Sequence, residues 1–103
     1  MAASSNPGTS LSGATTDGAG TALSFEAVLR DHTMIVTFTG TPTSARVNLE
    51  GSHDGTSWAV LDTYDYASSG VGARSVHAAV AYVRANLVSH SGSLALTAKI
   101  ASA

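Results

Sequence analysis

The chain has 103 residues, no cysteine, a net charge of −2 with histidine neutral, 44% apolar residues and only 12% charged ones. The length suits one domain with its own core, while the charged share is about half of the ~25% usual for a soluble domain. These values exclude a disulfide framework and thiolate metal sites. No apolar run reaches the ~18 residues of a membrane-spanning helix, and the five cations Arg30, Arg46, Arg74, Arg84 and Lys99 are scattered rather than clustered. Neither a membrane nor a nucleic acid is therefore expected as a partner. Sparse charge among many Ser, Thr, Gly and Ala residues points instead to a surface partly covered by neighbours.

Residues 1–20 are almost entirely Ala, Ser, Gly and Thr, with Leu11 the one large apolar residue after Met1. Such a segment buries too little surface to offset its ordering entropy. It is expected to stand apart from a domain of residues 21–103. It is either a flexible arm or an arm ordered along a partner subunit, with Leu11 as a contact. Met1 to Pro7 show neither the basic nor the apolar region of a secretory signal, so synthesis in the cytoplasm is expected.

Ala22 to Leu29 reads as a first strand, although Glu26 to Arg30 also contains good helix formers. Arg30-Asp31-His32 reads as a polar turn. From His32 to Thr39 the chain is β-branched and alternating, with Met34, Val36 and Phe38 on one face. Gly40-Thr41-Pro42-Thr43 is expected to end that strand. Ala45, Val47 and Leu49 alternate with Arg46, Asn48 and Glu50, the pattern of an antiparallel strand with one wet face. His53-Asp54-Gly55-Thr56 carries turn chemistry, so a hairpin is expected, with Trp58 to Asp62 as its return strand. Trp58 is the lone tryptophan and is expected in the core, where large aromatics dominate small domains.

Asp62 to Gly72 is the longest expected loop, which leaves Tyr64 and Tyr66 as exposed contacts for a ligand or a neighbouring subunit. Arg74 to His77 reads as a short edge strand. Ala79 to Val88 reads as the central strand, apolar on both faces for part of its length. Its Arg84 needs a carboxylate partner, Glu50 or Asp62, and then acts as a structural pin. Ser89-His90-Ser91-Gly92 is expected to turn the chain. A last strand follows, with Leu94, Leu96, Ala98 and Ile100 on one face. The fold expected is all-β: a small antiparallel β-sandwich, jelly-roll-like, of about seven strands, with an extended N-terminal arm.

No catalytic, cofactor or metal site is expected. His32, His53, His77 and His90 lack ligand spacing and read as solvated loop residues. Asp54, Asp62 and Asp65 fit no calcium-loop pattern, and the turn alone accounts for Asp54. No serine lies in a nucleophile elbow. Gly70-Val71-Gly72 has no following helix to make a phosphate loop.

Ser52-x-Asp54-Gly55-x-x-Trp58, followed about two dozen residues later by Tyr82-Val83-Arg84, resembles a motif of discoidin-like (coagulation factor 5/8 type C) β-sandwich modules. The same motif recurs in short phage structural proteins with jelly-roll-like folds. The resemblance covers roughly residues 44–100. It implies structural roles for Asp54, Gly55, Trp58 and Arg84, and no binding site is carried over with it. With the arm and the sparse charge, it implies a non-enzymatic virion protein: a capsid decoration (cement) protein or a small tail or head-fibre component. Such a protein is made in the host cytoplasm and resides in the virion. Its expected partners are a major capsid or tail protein and copies of itself on a lattice, with Leu11, Tyr64 and Tyr66 as contacts. The alternative is a carbohydrate- or cell-surface-binding module using Tyr64, Tyr66 and Trp58.

Overall fold

A computed structural model of the chain describes residues 7–66 and 71–103. Among the described residues there is no helix, and there are five strands: β1 (Gly8–Ala14), β2 (Gly18–Ala19), β3 (Leu23–Ser52), β4 (Ala59–Asp65) and β5 (Val71–Ser102). All five join one antiparallel sheet. The all-β antiparallel class is as expected, but the strands are fewer and longer, because β3 and β5 run for 30 and 32 residues.

Their length comes from stretches that look like turns and are not. Residues 32–52 stay paired with 82–102, from His32 opposite Ser102 to Ser52 opposite Tyr82. The expected turns at 40–43 and 89–92 face each other in this ribbon, with Pro42 opposite Gly92. Both are bends. Gly40 and Gly92 have φ of 100° and 87°, a region that only glycine enters readily, so each strand changes direction without losing its partner. The approach is also close. A Cβ on Gly40 would lie 2.5 Å from the Ser93 carbonyl oxygen, and one on Gly92 would lie 2.7 Å from that of Thr41. Pro42 is tolerated because the register shifts between Pro42 and Ser44, and irregular positions are where a sheet accepts proline. The expected turn at Arg30-Asp31-His32 is strand as well, with His32 paired to Val76 on one side and Ser102 on the other.

The remaining segments flank the ribbon. Residues 71–77 pair with 31–37, β4 pairs with 46–51, and β1 lies along 96–100. Inward side chains follow the expected alternation. Met34, Val36, Leu96 and Ile100 on one side of the bend, and Val47, Leu49, Val83 and Leu87 on the other, are at most 1% exposed. They form one cluster. With no helix among the described residues to cover that face, the bent sheet covers itself.

The expected boundary at residue 20 is corrected. β1 and β2 both pair with β5, so the described part of the 1–20 segment is built into the sheet. Leu11 is buried in the core rather than presented to a partner. The Ser10 hydroxyl donates to the Thr21 carbonyl and accepts the Ala85 N–H, each at 2.8 Å. Ladder hydrogen bonds order this stretch of small residues where its own apolar content could not. Residues 1–6 of the expected arm and 67–70 of the expected loop lie outside the described residues.

Leu11→Ala is therefore expected to destabilise the isolated protein by about 2–5 kcal/mol, the usual cost of emptying a core site, read from urea unfolding. An arm separate from the fold would leave the unfolding curve unchanged.

Candidate functional site

The hairpin tip between β3 and β4 is tied by its own side chains. The Ser52 hydroxyl accepts the N–H groups of Gly55 (2.9 Å) and Asp54 (3.2 Å) and donates to the Asp54 carboxylate at 3.0 Å. That carboxylate also accepts the N–H groups of Thr56 at 2.8 Å and Ser57 at 2.9 Å. The Ser57 and Thr56 N–H groups, then the Ser52 hydroxyl, hold its pKa down at about 2. His53 is exposed and donates from Nε2 to the Ala79 carbonyl at 2.9 Å.

The tip lies back over the outer face of the sheet. Trp58 is half-buried, and its ring sits 4.2 Å from the Arg84 guanidinium carbon, a cation–π contact. Gly55, with φ of 77°, rests on the Tyr82 ring. Under Trp58, Arg84 Nε donates to Glu50 Oε1 at 2.7 Å, and Asn86 Nδ2 donates to Glu50 Oε2 at 3.0 Å. Of the two carboxylates expected for Arg84, Glu50 is thus the partner, and Asp62 goes to Arg74. Glu50 has the outward parity expected of it, yet it is only 6% exposed, because the tip roofs it. The placement of Trp58 in the core is corrected: the ring is held outside by the cation beneath it. Apart from Val83, which points into the core, the motif residues quoted above nonetheless meet at the tip.

Of the expected contact tyrosines, Tyr64 is corrected, while Tyr66 is half-buried. Tyr64 lies on β4 and belongs to the core, with its ring against Gly72. Burial, and then Tyr66, raise its pKa. Tyr66 packs edge-on against Phe38 with ring centroids 4.8 Å apart. The segment is strand through Asp65 rather than loop, and its inward parity carries Tyr64 into the core. Asp62 accepts from Arg74 at 3.0 Å and Asp65 from Arg46 at 2.8 Å, so these two of the three candidate carboxylates are ion-paired.

His32 is the histidine read most wrongly. It is 1% exposed, not a solvated loop residue. Nε2 donates to the carbonyls of Ala78 (2.9 Å) and Leu29 (3.2 Å), and Nδ1 lies 2.7 Å from the Ser102 hydroxyl. One imidazole thereby ties three stretches of backbone together, with Phe25 stacked on it at 6.0 Å. His77 pairs with Asp31, and His90 with Asp17. Among the described residues, no group of three or more His, Asp or Glu side chains could hold a metal ion.

The surface that sequence reasoning missed is the outer face across the bend from the tip. Pro7, Thr33, Ile35, Thr37, Lys99 and Ala101 line a groove of about 310 Å³ there. Ile35 is 47% exposed in mid-strand, between Ala73 and Lys99 on the neighbouring segments. Lys99 is the only charged side chain of the lining. The signal was in the sequence. The alternation that sends Met34, Val36, Ala98 and Ile100 inward leaves Thr33, Ile35, Thr37 and Lys99 outward, a row with one charge.

No family model matches the chain, and no curated protein matches it in sequence. In fold it is similar to the SPBc2 prophage-derived protein YomS, with a TM-score of 0.62 at 15% identity over 92% of this chain and 89% of that one. It is also similar to the C-terminal domain of a chitobiase from Bacteroides fragilis, with a TM-score of 0.57 at 13% identity over 80% of this chain and 61% of that one. At these identities the likeness is one of fold.

Removing Arg84 tests the knot beneath the tip. Arg84→Met is expected to cost about 3 kcal/mol in urea unfolding, the low end for breaking a buried pair, because the Arg84 side chain keeps 24% exposure. Adding Glu50→Gln is expected to restore part of that loss. A cost under ~1 kcal/mol, typical of an exposed pair, would contradict this picture.

Proposed function

We propose that this protein is a non-enzymatic virion component that binds and stabilises a phage capsid, as a decoration protein, or a tail lattice. The observation that carries the reading is the likeness of fold to a prophage-derived protein over nearly the whole chain. Two features of the surface support it. The polar groups that invited a chemical role are engaged by neighbours within the chain, as Glu50, Asp54 and Asp62 illustrate. The open outer face offers Ile35 among small and β-branched residues with a single charge, a composition suited to docking on another protein. The partner in this reading is a major capsid or tail protein, and copies sit as an oligomer on its lattice. Contacts weak in one copy gain avidity by repetition. With β1 built into the sheet, docking falls to the outer face rather than to an arm.

A carbohydrate-binding module is the second reading, and the likeness to the chitobiase domain favours it. Its aromatic contacts would be Trp58 and Tyr82, since Tyr64 and Tyr66 are taken by packing.

Co-sedimentation decides between the two. The full-length protein is expected to pellet with purified particles of the phage whose genome carries its gene, at a saturating ratio set by the lattice. Protein that stays in the supernatant, together with glycan-array signals lost in Trp58→Ala and Tyr82→Ala, would overturn the virion reading in favour of the second.

A further inference from the structure

We infer that the groove around Ile35 binds an extended segment of a partner protein that carries an apolar side chain two positions from a carboxylate. The inference deepens the docking reading above and rests on it for the partner's identity. Its first support is shape. Thr33, Ile35 and Thr37 lie in line along one segment, beside Lys99 and Ala101 on the next, with Pro7 as a side wall. At ~3.3 Å per residue, positions 33 to 37 span about 13 Å. An extended peptide presents alternate side chains at the same spacing. The groove of about 310 Å³ lies at the small end of binding-site volumes, which suits one or two side chains rather than a large ligand.

Charge supplies the second support. Arg46, Arg74 and Arg84 are each paired with a carboxylate. Lys99 has no such partner among the described residues and sits beside exposed Ile35. Covering a lysine with apolar surface is costly unless a counter-charge comes with the cover. Among the described residues no carboxylate pairs with Lys99, and Asp31, on the same segment as Ile35, is bonded to His77 at 2.9 Å. A second copy laid groove to groove would bring only another Lys99, so the occupant that charge favours is a segment that brings its own acid. Of the neighbouring hydroxyls, Thr33 is bonded to Ser75 at 3.0 Å, and Thr97 accepts the Gly13 N–H at 3.1 Å. The occupant therefore matches two features, an apolar side chain over the Thr33–Ala101 row and a carboxylate at Lys99.

The test is an NMR titration of the ¹⁵N-labelled full-length protein with three capped pentapeptides. The first carries leucine and aspartate two positions apart, and the others have asparagine or lysine in place of the aspartate. The acidic peptide is expected to shift the amides of Thr33, Ile35, Thr37, Lys99 and Ala101 and to bind about fivefold more tightly than the asparagine peptide, the ratio an exposed ion pair supports. Lys99→Glu is expected to transfer the preference to the lysine peptide. Ile35→Thr, which keeps a β-branched residue at an exposed site, is expected to weaken binding while the unfolding curve stays unchanged. Equal response to all three peptides, or shifts confined to other surfaces, would overturn the inference. Groove shifts that depend on protein concentration alone would overturn it in favour of a second copy. Co-sedimentation of the same variants separates this inference from the virion reading. If wild type, Ile35→Thr and Lys99→Glu all pellet equally with particles, the groove assignment fails and the virion reading stands. If the acidic peptide binds but no form pellets, the groove stands and the virion reading fails.

Discussion

The fold depends on one constraint: β3 and β5 must bend together without parting. Gly40 lies opposite Leu94 and Gly92 opposite Pro42 at that bend, both glycines at positive φ, and each lies where a Cβ would meet the carbonyl of the opposite strand. A strand break there would leave unpaired backbone groups at the edge of the core, at a cost comparable to lost hydrogen bonds. Because pairing continues through the bend, the same two strands supply inward side chains on both sides of it. Met34 and Ile100 can then share a core with Leu49 and Leu87, and no other layer is needed to cover them.

That closure directs function outward. Among the described residues no buried side-chain polar atom lacks a partner, and the buried polar residues Ser10, His32 and Glu50 all hold backbone or neighbouring side chains in place. What distinguishes the two outer faces is their cover. On one, the 52–58 tip lies over Glu50 and Arg84, with Trp58 as the roof. On the other, Ile35 and Lys99 stand open. The first face is a finished structural knot, and the second is a surface with apolar area and a charge that has no carboxylate partner among the described residues.

Much of this was legible in the sequence. Alternation at 45–49 and 94–100 identified inward residues correctly, and the Ser52-to-Trp58 motif marked a true hairpin tip. That Arg84 takes a carboxylate followed from the cost of an unpartnered arginine in a strand, and the fold decides between the two candidates, Glu50 for Arg84 and Asp62 for Arg74. The errors share a physical cause. Gly and Pro at 40–42 and 89–92 mark a change of direction, and local chemistry does not distinguish a bend that keeps its partner from a turn that reverses the chain. Leu11 stood alone among small residues, and its burial depends on a strand some 85 residues away. Trp58 and His32 were misplaced for the same reason: a distant cation holds one outside, and distant carbonyls hold the other in. That the second face stands open was not legible, because outward parity at 33–37 does not say whether a face is covered: Glu50 is outward too and is only 6% exposed.

The most direct measurement of the central claim is the unfolding free energy of Gly40→Ala and Gly92→Ala set against Gly13→Ala. Gly13 also has positive φ, at 59°, but has open space around it, so it isolates backbone strain from the close approach at the bend. Gly13→Ala is expected to cost ~1 kcal/mol from strain alone. Each bend variant is expected to cost about 3 kcal/mol, strain plus overpacking against the opposite backbone. Bend variants no more destabilised than Gly13→Ala would contradict the paired bend on which the closed sheet and its two outer faces depend.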